Sequence, residues 1–330
     1  MQGMLKKSEN TKNESTSRDE TRAKSRQTQE IKLSLVIVSW NTAGYLRNCL
    51  QSIFNSVPAT AFEVIIVDNA STDSTVSMVQ REFPGVDLII NESNLGFARA
   101  CNQGWRKAKG QFILFLNPDT LLLPGTLDGA VKIMEASKNI GLLGIRNLDG
   151  RGRPRRSSYD FPSPLRTFAF ITGLNELLPP SRCRQEKNRQ AAGYIPGSFL
   201  LARRQVLEEL GGFDENFFMY GEDADLCWRA WKKGWYVLYE PALSLIHFGS
   251  KSRQNRWPII TDYIQSVLYF YRKNLPQEYK KLYLAIKVSL AFLWLKSLML
   301  RSFSPSALME EWKKINDLWH SLKGKNRKNN

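Results

Sequence analysis

The sequence predicts an α/β protein built on a mostly parallel sheet with helices on both faces. Three observations predict it. Apolar, β-branched runs of strand length alternate with segments of helical period from Leu33 to Asp119. The runs are continuously apolar, the pattern of strands buried on both faces rather than one. Each run ends in a cluster of polar residues, and the carboxyl ends of such strands are where open α/β sheets hold their ligands.

Residues 1–30 precede the pattern. They are polar and charged with no apolar run, so they bury too little surface to offset the entropy of ordering, and a disordered tail is expected. They carry no hydrophobic stretch of the kind a signal peptide needs. Residues 33–39 (LSLVIVS) form the first strand, closed by a turn at Asn41-Thr42-Ala43-Gly44; Leu46, Leu50 and Ile53 then recur at spacings of four and three, marking a helix. Residues 62–67 are the second strand and run into Asp68-Asn69-Ala70-Ser71, with Ser71 or Thr72 positioned to cap a helix through Val76 and Val79. A third strand at 87–90, a helix at 96–108 and a fourth strand at 112–116 lead to Asn117-Pro118-Asp119.

Residues 151–192 break this rhythm with Arg151, Arg153, Arg155 and Arg156, several prolines and mixed charge, and read as a long lid-like loop with a helix near 165–178. Order returns from Gly193: a strand at 198–202, an aromatic and acidic segment at 217–226, a helix to Lys233, and strands at 236–239 and 243–248. The expected organisation is therefore a tail (1–30), a sheet domain (31–250) and a helical extension (251–330). Within the extension, residues 282–300 are the most apolar long stretch, broken by Lys287 and Lys296, and their uncharged piece falls short of the roughly 20 residues that span a bilayer. Two readings stand for it: a helix lying in a membrane interface, with Phe292, Trp294 and flanking lysines, or a helix packed on the core. The terminal Lys323, Lys325, Arg327 and Lys328 suit anionic lipid or a solvated end.

Composition sets outer limits. Hydrophobic residues are 42% and charged residues 24%, which excludes wholesale disorder and collagen-like repeats. Cys49, Cys101, Cys183 and Cys227 are scattered with no C-x-x-C pair, against a zinc module or a disulfide framework and in favour of a reducing compartment. Lys and Arg number 47 against 31 Asp and Glu, a net +16 that attracts an anionic partner: nucleic acid, a phosphorylated substrate or a membrane surface. No zinc-finger or RNP-like motif supports nucleic acid. Nor is there a G-x-x-x-x-G-K loop, a G-x-G-x-x-G after the first strand, or a G-x-S-x-G elbow.

Several polar residues could carry chemistry, and each has a plain structural alternative. Asp68, at a strand end, can accept hydrogen bonds from a ribose or base edge, or simply start a turn. Asp119 offers hard oxygen ligands for Mg²⁺ or Mn²⁺, while Asn-Pro-Asp is also good turn chemistry. Glu222, Asp223 and Asp225 sit beside Phe217, Phe218, Met219 and Tyr220, surroundings that raise a carboxyl pKa and prepare a general base; acids also favour a helix N-terminus. Helical spacing puts Glu222 and Asp225 on one face and Asp223 elsewhere. His247, at the end of an apolar strand, suits a metal or phosphate, or a structural role; His320 reads as structural. The arginine cluster at 151–156 reads as a solvated loop.

In chain order these pieces resemble glycosyltransferase family 2, inverting enzymes of the GT-A (Rossmann-like) fold, and particularly its bacterial rhamnosyltransferase-like branch. The matching residues are Val38-Ser39-Trp40-Asn41, Val67 to Asp73, Asn94-Leu95-Gly96-Phe97-Ala98 with Asn102 and Gly104, and Leu116-Asn117-Pro118-Asp119. Then come Gly197 with Leu200, Gly211 to Glu215, Tyr220 to Leu226, and His247. They span about residues 33–250.

The resemblance implies that a sugar passes from a nucleotide-sugar donor, dTDP-rhamnose or a UDP-sugar, to a saccharide or polyprenyl-diphosphate-linked acceptor in cell-surface polysaccharide synthesis. It implies that Ser39, Asn41, Asp68 and Asn69 hold the base and ribose, and that Asn94, Gly96, Asn102 and Asn117 line the diphosphate and sugar side. Asp119 and His247 would hold a divalent cation, Mg²⁺ or Mn²⁺. Asp223 would be the catalytic base, with Glu222 beside it. Asn117 replaces the first Asp of the family's D-x-D, as is usual in this branch. A cytoplasmic enzyme, peripheral at the inner face of the membrane and without nucleic-acid partners, is the expected setting. Two rivals remain at this stage. A nucleotidyltransferase would want a Gly-rich basic loop where Ser39-Trp40-Asn41-Thr42 stands. A non-catalytic, membrane-peripheral nucleotide-sugar binding protein leaves the ordered acidic sites without a purpose.

Overall fold

Side chains of the strand β1 (Leu33–Ser39) alternate between two cores. Leu33, Leu35 and Ile37 enter one, and Val36 enters the other. The same alternation runs through β2 (Phe62–Asp68) and β4 (Phe112–Leu116), where Phe112, Leu114 and Leu116 oppose Ile113 and Phe115. Helices α1 (Ala43–Asn55), α2 (Thr75–Glu82) and α4 (Thr126–Ala136) flank this sheet, as do α3 (Phe97–Lys107), α6 (Arg204–Leu210) and α7 (Glu222–Lys232). Leu46, Leu50, Val79 and Val131 pack into the first core; Cys101, Val206, Leu226 and Ala230 pack into the second. The structure is a computed structural model and describes residues 30–56, 58–174, 177, 189–249 and 256–300, together with 306, 309–310, 312–313 and 316. The expected tail, Cys183, His320 and the basic residues at 323–328 lie outside the described residues, apart from residue 30. Cys49, Cys101 and Cys227 are buried free thiols.

The remaining strands are β3 (Asp87–Ile90), β5 (Thr120–Leu122), β6 (Ile140–Leu148), β7 (Pro154–Arg155), β8 (Gln190–Ala191), β9 (Phe199–Arg203) and β10 (Tyr236–His247). The sheet runs β3-β2-β1-β4-β9-β6-β10-β5, with β7 beside β6 and β8 beside β10. β1, β2, β3 and β4 are mutually parallel, as are β6 and β10. β9 enters antiparallel between β4 and β6, and β5 antiparallel to β10, so the sheet is mixed. An apolar run such as β9 looks the same in either direction, so the sequence pattern carries no sign of that reversal. β5, β6, β7 and β8 gave no separate signal. β10 is one strand where two were expected; its register shifts between Glu240 and Ser244, around Pro241, which has no N–H to give the ladder.

Helix α3 lies close on β1 because position 104 is glycine: a Cβ there would collide with the Val36 side chain. Helix α2 begins after Ser74 with no side-chain cap. Ser71 is used differently, donating to Asp68 and accepting from the Asn41 backbone. Helix α5 (Pro164–Thr172) starts on Ser163, whose Oγ accepts from Arg166 N, and stops at Gly173 in the left-handed region (φ 80°), shorter than the expected helix.

A third core joins α5, α7, α8 (Arg256–Asn274) and α9 (Tyr279–Leu300) through Ile171, Phe217, Ala224, Ile264, Leu268 and Ile286, among others. Asp225 fastens this helical layer to the sheet. Its carboxylate is fully buried and accepts from Arg229 Nε (2.6 Å), Lys273 Nζ (2.9 Å) and Asn274 Nδ2 (2.9 Å). Lys273 also donates to Asp214 (2.8 Å), and Tyr269 OH donates to the same carboxylate (2.9 Å). The loop of residues 214–221 is thereby held between α7 and α8.

Candidate active site

The parallel register brings Ser39 level with Asp68, and Asp68 level with Ile90, so the carboxyl ends of β1, β2 and β3 open at one edge. Their loops interlock. Asn41, at φ 53°, accepts at Oδ1 from the backbone N–H groups of Thr72 (2.7 Å) and Asp73 (3.3 Å). Asp68 is fully buried and accepts at Oδ2 from Ser71 N and at Oδ1 from Ser71 Oγ. Ser39 Oγ shares a hydrogen bond with Thr42 Oγ1 (2.7 Å). Asn69 donates to Gly96 O and accepts from Asn91, which fixes its amide.

A cavity of about 460 Å³ lies beside these loops. Of the residues expected at a site, Asn69, Asn94, Asn117, Asp119, Glu222, Asp223 and His247 all line it. Ser39, Asn41, Asp68, Gly96 and Asn102 are not on its wall. The first three are engaged in the interlocked loops. Asn102 is fully buried: it donates to Phe213 O and Glu215 Oε1 and accepts from Phe213 N and Trp105 Nε1, so it ties α3 to the loop that follows α6. Gly96 joins two loops. A Cβ there would stand 2.6 Å from Phe218 O, its φ is 83°, and the next residue, Phe97, donates its N–H to that same oxygen (2.9 Å).

At one part of the wall Asp119 Oδ1 lies 3.2 Å from His247 Nε2. These residues are distant in sequence and meet because β5 pairs antiparallel with β10, setting Thr120 opposite His247; Phe248 N then donates to Asp119 O. Elsewhere the wall carries Glu222 and Asp223 from the first turn of α7. That turn is preceded by Tyr220 and Gly221, both left-handed (φ 67° and 93°), a conformation that costs energy for the tyrosine. Burial pushes both carboxyls above their ordinary range; the charge of Asp223 raises Glu222 further, while backbone donors, Ala224 N–H among them, temper the rise at Asp223. Glu222 Oε2 has no hydrogen-bond partner among the described residues. Spacing alone grouped Glu222 with Asp225. The structure groups it with Asp223, because the first turn faces the cavity while Asp225 points back to Arg229 and α8.

Asp119 and His247 are a suitable pair for a divalent cation. Each is partly exposed, and a carboxylate oxygen with an imidazole nitrogen is a donor set that Mn²⁺ or Mg²⁺ accepts. Among the described residues no group of three or more His, Cys, Asp or Glu could cage an ion. A two-donor set leaves the other coordination positions of such a cation open to other oxygen ligands. The wall also holds residues that sequence reasoning left out of the site: Trp40, Tyr45, Tyr159, Ser198, Arg155 and Arg156. Trp40 carried a signal, an aromatic at a strand end, and it is 40% exposed. The arginines carried none, since a basic cluster in a loop looks the same whether it meets water or a ligand.

Comparison with known proteins gives a consistent assignment. The family described as "Glycosyl transferase family 2" matches residues 34–211. The chain is similar to the N-acetylglucosaminyl-diphospho-decaprenol L-rhamnosyltransferase of Mycobacterium tuberculosis, at 30% identity over 244 residues, 67% of this chain and 77% of the relative. It is also similar to the rhamnosyltransferase WbbL of Escherichia coli, at 26% identity over 224 residues, 65% of this chain and 82% of that protein. Among solved structures, the mannosyltransferase PcManGT of Pyrobaculum calidifontis, in complex with GDP-Man and Mn²⁺, superposes with a TM-score of 0.55 at 20% identity, covering 86% of this chain and 80% of that one. Residues 1–349 of Staphylococcus aureus TarS with UDP-GlcNAc give a TM-score of 0.53 at 18% identity, covering 86% and 79%. These two establish likeness of fold.

Proposed function

The chain belongs to glycosyl transferase family 2, and from that premise we propose that it moves a rhamnosyl group from dTDP-rhamnose, or a related sugar from a UDP-sugar, to a saccharide carried on a polyprenyl diphosphate. It is a glycosyltransferase; the donor, acceptor and residue roles are the proposal. The observation that carries it is the meeting in one cavity of the Asp119–His247 pair with the buried Glu222 and the half-buried Asp223. One pair suits a cation on a diphosphate, and the other suits removal of a proton.

In this reading Trp40, Asn69, Asn94 and Asn117 bind the donor. Asp223 accepts the proton of the acceptor hydroxyl as its oxygen bonds to the anomeric carbon and the bond to the diphosphate oxygen breaks. One displacement inverts the anomeric centre. Asp119 and His247 would hold the cation, which when bound supplies positive charge to offset the departing diphosphate. The like-charged neighbour Glu222 favours one shared proton on the pair, leaving the other carboxylate to act as base. The names of the rhamnosyltransferase relatives support the sugar and the lipid-linked acceptor. The test is a panel of dTDP-rhamnose, UDP-sugars and GDP-mannose offered with N-acetylglucosaminyl-diphosphate lipid and Mg²⁺ or Mn²⁺. The expected product gains one sugar residue, a deoxyhexose where dTDP-rhamnose is the donor, with inverted anomeric configuration by NMR. Failure of every donor in the panel would sink the proposal.

The exposed side of α9 favours a membrane surface as the setting. Leu282, Ile286 and Leu290 face the third core, while Leu284, Val288 and Leu295 are 62%, 50% and 54% exposed, with Lys281 and Lys296 beside them and Leu165 of α5 also exposed. Both sequence readings of this helix thus have a face. Among the described residues no helix is long and apolar enough to cross a membrane. An apolar stripe edged by lysines suits an anionic bilayer, here the inner face of the cytoplasmic membrane. The protein is expected to sediment with phosphatidylglycerol vesicles and to detach in part at about 1 M salt, where charge is screened. Leu284→Asp with Val288→Asp is expected to weaken that binding by about tenfold or more. Binding unaffected by the double substitution would refute this face.

A further inference from the structure

A second cavity, of about 180 Å³, adjoins the first across the loop that leads into the active-site acids. The loop itself is the partition. Met219 stands on the walls of both cavities, Asn216 and Phe218 on the second, and Tyr220, Glu222 and Asp223 on the first. Helix α8 supplies the opposite wall of the second cavity with Asp262, Gln265 and Tyr269.

The partition is pinned from both directions. Phe97 N donates to Phe218 O (2.9 Å), while from α8 Ser266 Oγ donates to Met219 O (2.9 Å) and the Tyr269 ring meets Phe217 edge-on, with centres 4.8 Å apart. Asn216 donates to Asp214 Oδ1 from both its backbone N (3.0 Å) and its Nδ2 (2.7 Å), which fixes its amide. Phe218 is thus anchored at its backbone, yet its ring is 49% exposed. A ring held in place but left half in water gains apolar burial when a ligand covers it, with little ordering still to be lost.

The wall selects the class of ligand. The chain carries a net +16, but no Lys or Arg lines this cavity. Lys273, one turn beyond Tyr269 on α8, is engaged by Asp214 and Asp225. A phosphate would therefore find no counter-charge here. An alkyl chain would cover Asn216, Gln265 and Asp262 without offering their amides and carboxylate a hydrogen bond. A neutral sugar suits all of it: its C–H face lies on an aromatic ring, and its hydroxyls both donate to and accept from amides and carboxylates.

We propose that this cavity binds a second sugar residue of the acceptor, the neighbour of the one whose hydroxyl meets Asp223, so that the preferred acceptor is a disaccharide or longer. This rests on the glycosyl-transfer reading. With the reacting sugar at Asp223, the next residue passes over Met219 and lies against Phe218, with Asn216 and Gln265 at its hydroxyls.

The experiment uses the full chain and two acceptors with the same terminal sugar and the same lipid: N-acetylglucosaminyl-diphosphate lipid and chitobiosyl-diphosphate lipid. The quantity read is the ratio of kcat/KM, disaccharide over monosaccharide. In the wild type it is expected to be about tenfold or more, the scale of one aromatic contact and one or two hydrogen bonds. Phe218→Ala with Gln265→Ala should bring it close to one. Phe218→Trp keeps a ring and should keep the preference. Trp231→Ala, an exposed aromatic outside both cavities, should leave the ratio as it is. A wild-type ratio near one overturns the proposal, and so does a preference that survives the double alanine substitution. Titration of free chitobiose without donor, followed by saturation-transfer NMR, separates the two hypotheses. Should the wild type transfer to neither acceptor, the glycosyl-transfer reading fails. The subsite then stands if the double alanine variant binds chitobiose about tenfold more weakly, and falls if its binding is unchanged.

Discussion

Asp223→Asn is expected to lower kcat for sugar transfer by about 10³-fold while leaving donor affinity within about twofold, since a positioned general base contributes roughly 10²–10⁴-fold. Asparagine keeps the size and the hydrogen bond from Ala224 N–H and removes only the ability to take a proton. Single-turnover assays and donor titration by calorimetry measure the two quantities, and near-normal turnover would remove Asp223 from the mechanism. The pH dependence follows from the same burial. The raised carboxyls must lose a proton before the base can work, so kcat/KM in the wild type should fall on the acid side at a pH above the ordinary aspartate value of about 3.9. Stability runs the other way. A carboxyl whose pKa is higher in the folded state contributes stability that is complete below its unfolded pKa and is lost as pH rises through the folded value. The Glu222–Asp223 pair therefore costs stability at neutral pH, and Glu222→Gln should raise Tm at pH 7 but not at pH 4. Equal melting shifts at both pH values would contradict that origin.

Asp119→Ala is the second large effect. It removes the single carboxylate at the end of β4 and leaves His247 as the remaining protein donor of the pair. Transfer is expected to fall by about 10²–10³-fold, the scale of losing one preorganised stabiliser of a leaving group's charge. The half-saturating concentration of Mn²⁺ or Mg²⁺ should rise with it. Asn117→Asp restores a second carboxylate to the same turn, and cation affinity should rise because affinity follows ligand charge. Activity measured against cation concentration in the three proteins checks both directions. A wild type that works at full rate in excess chelator would show that the pair holds no cation.

Much of this arrangement was legible in the chain. Asn69, Asp119, Asp223 and His247, which line the cavity, were picked out in the chain because each follows an apolar run or opens a helix, and the ends of such elements point to one edge of a parallel sheet, whereas Asn94 came from the family resemblance alone. Asp68 had the same outward sign but is fully buried against Ser71, and Asn102, which the family resemblance alone suggested, is fully buried in mid-helix against the Phe213 backbone and Trp105. A polar side chain at a strand end satisfies ligand or neighbour equally well, and only the neighbour's position tells which. Asp225 stood in one acidic run with Asp223, and it was the packing of α8 that turned it into a structural ion pair.

By itself the sequence determined the local elements and the parallel half of the sheet, because hydrophobic period and turn residues act over a few positions. It determined the identity of the acids and the histidine available for chemistry. Only the tertiary structure decided which of them share a cavity. The antiparallel entry of β9 and the pairing of β5 with β10 that joins Asp119 to His247 depend on strand neighbours distant along the chain. Such pairings are chosen by the total burial of both sheet faces, a property of the whole fold that no short window of residues contains.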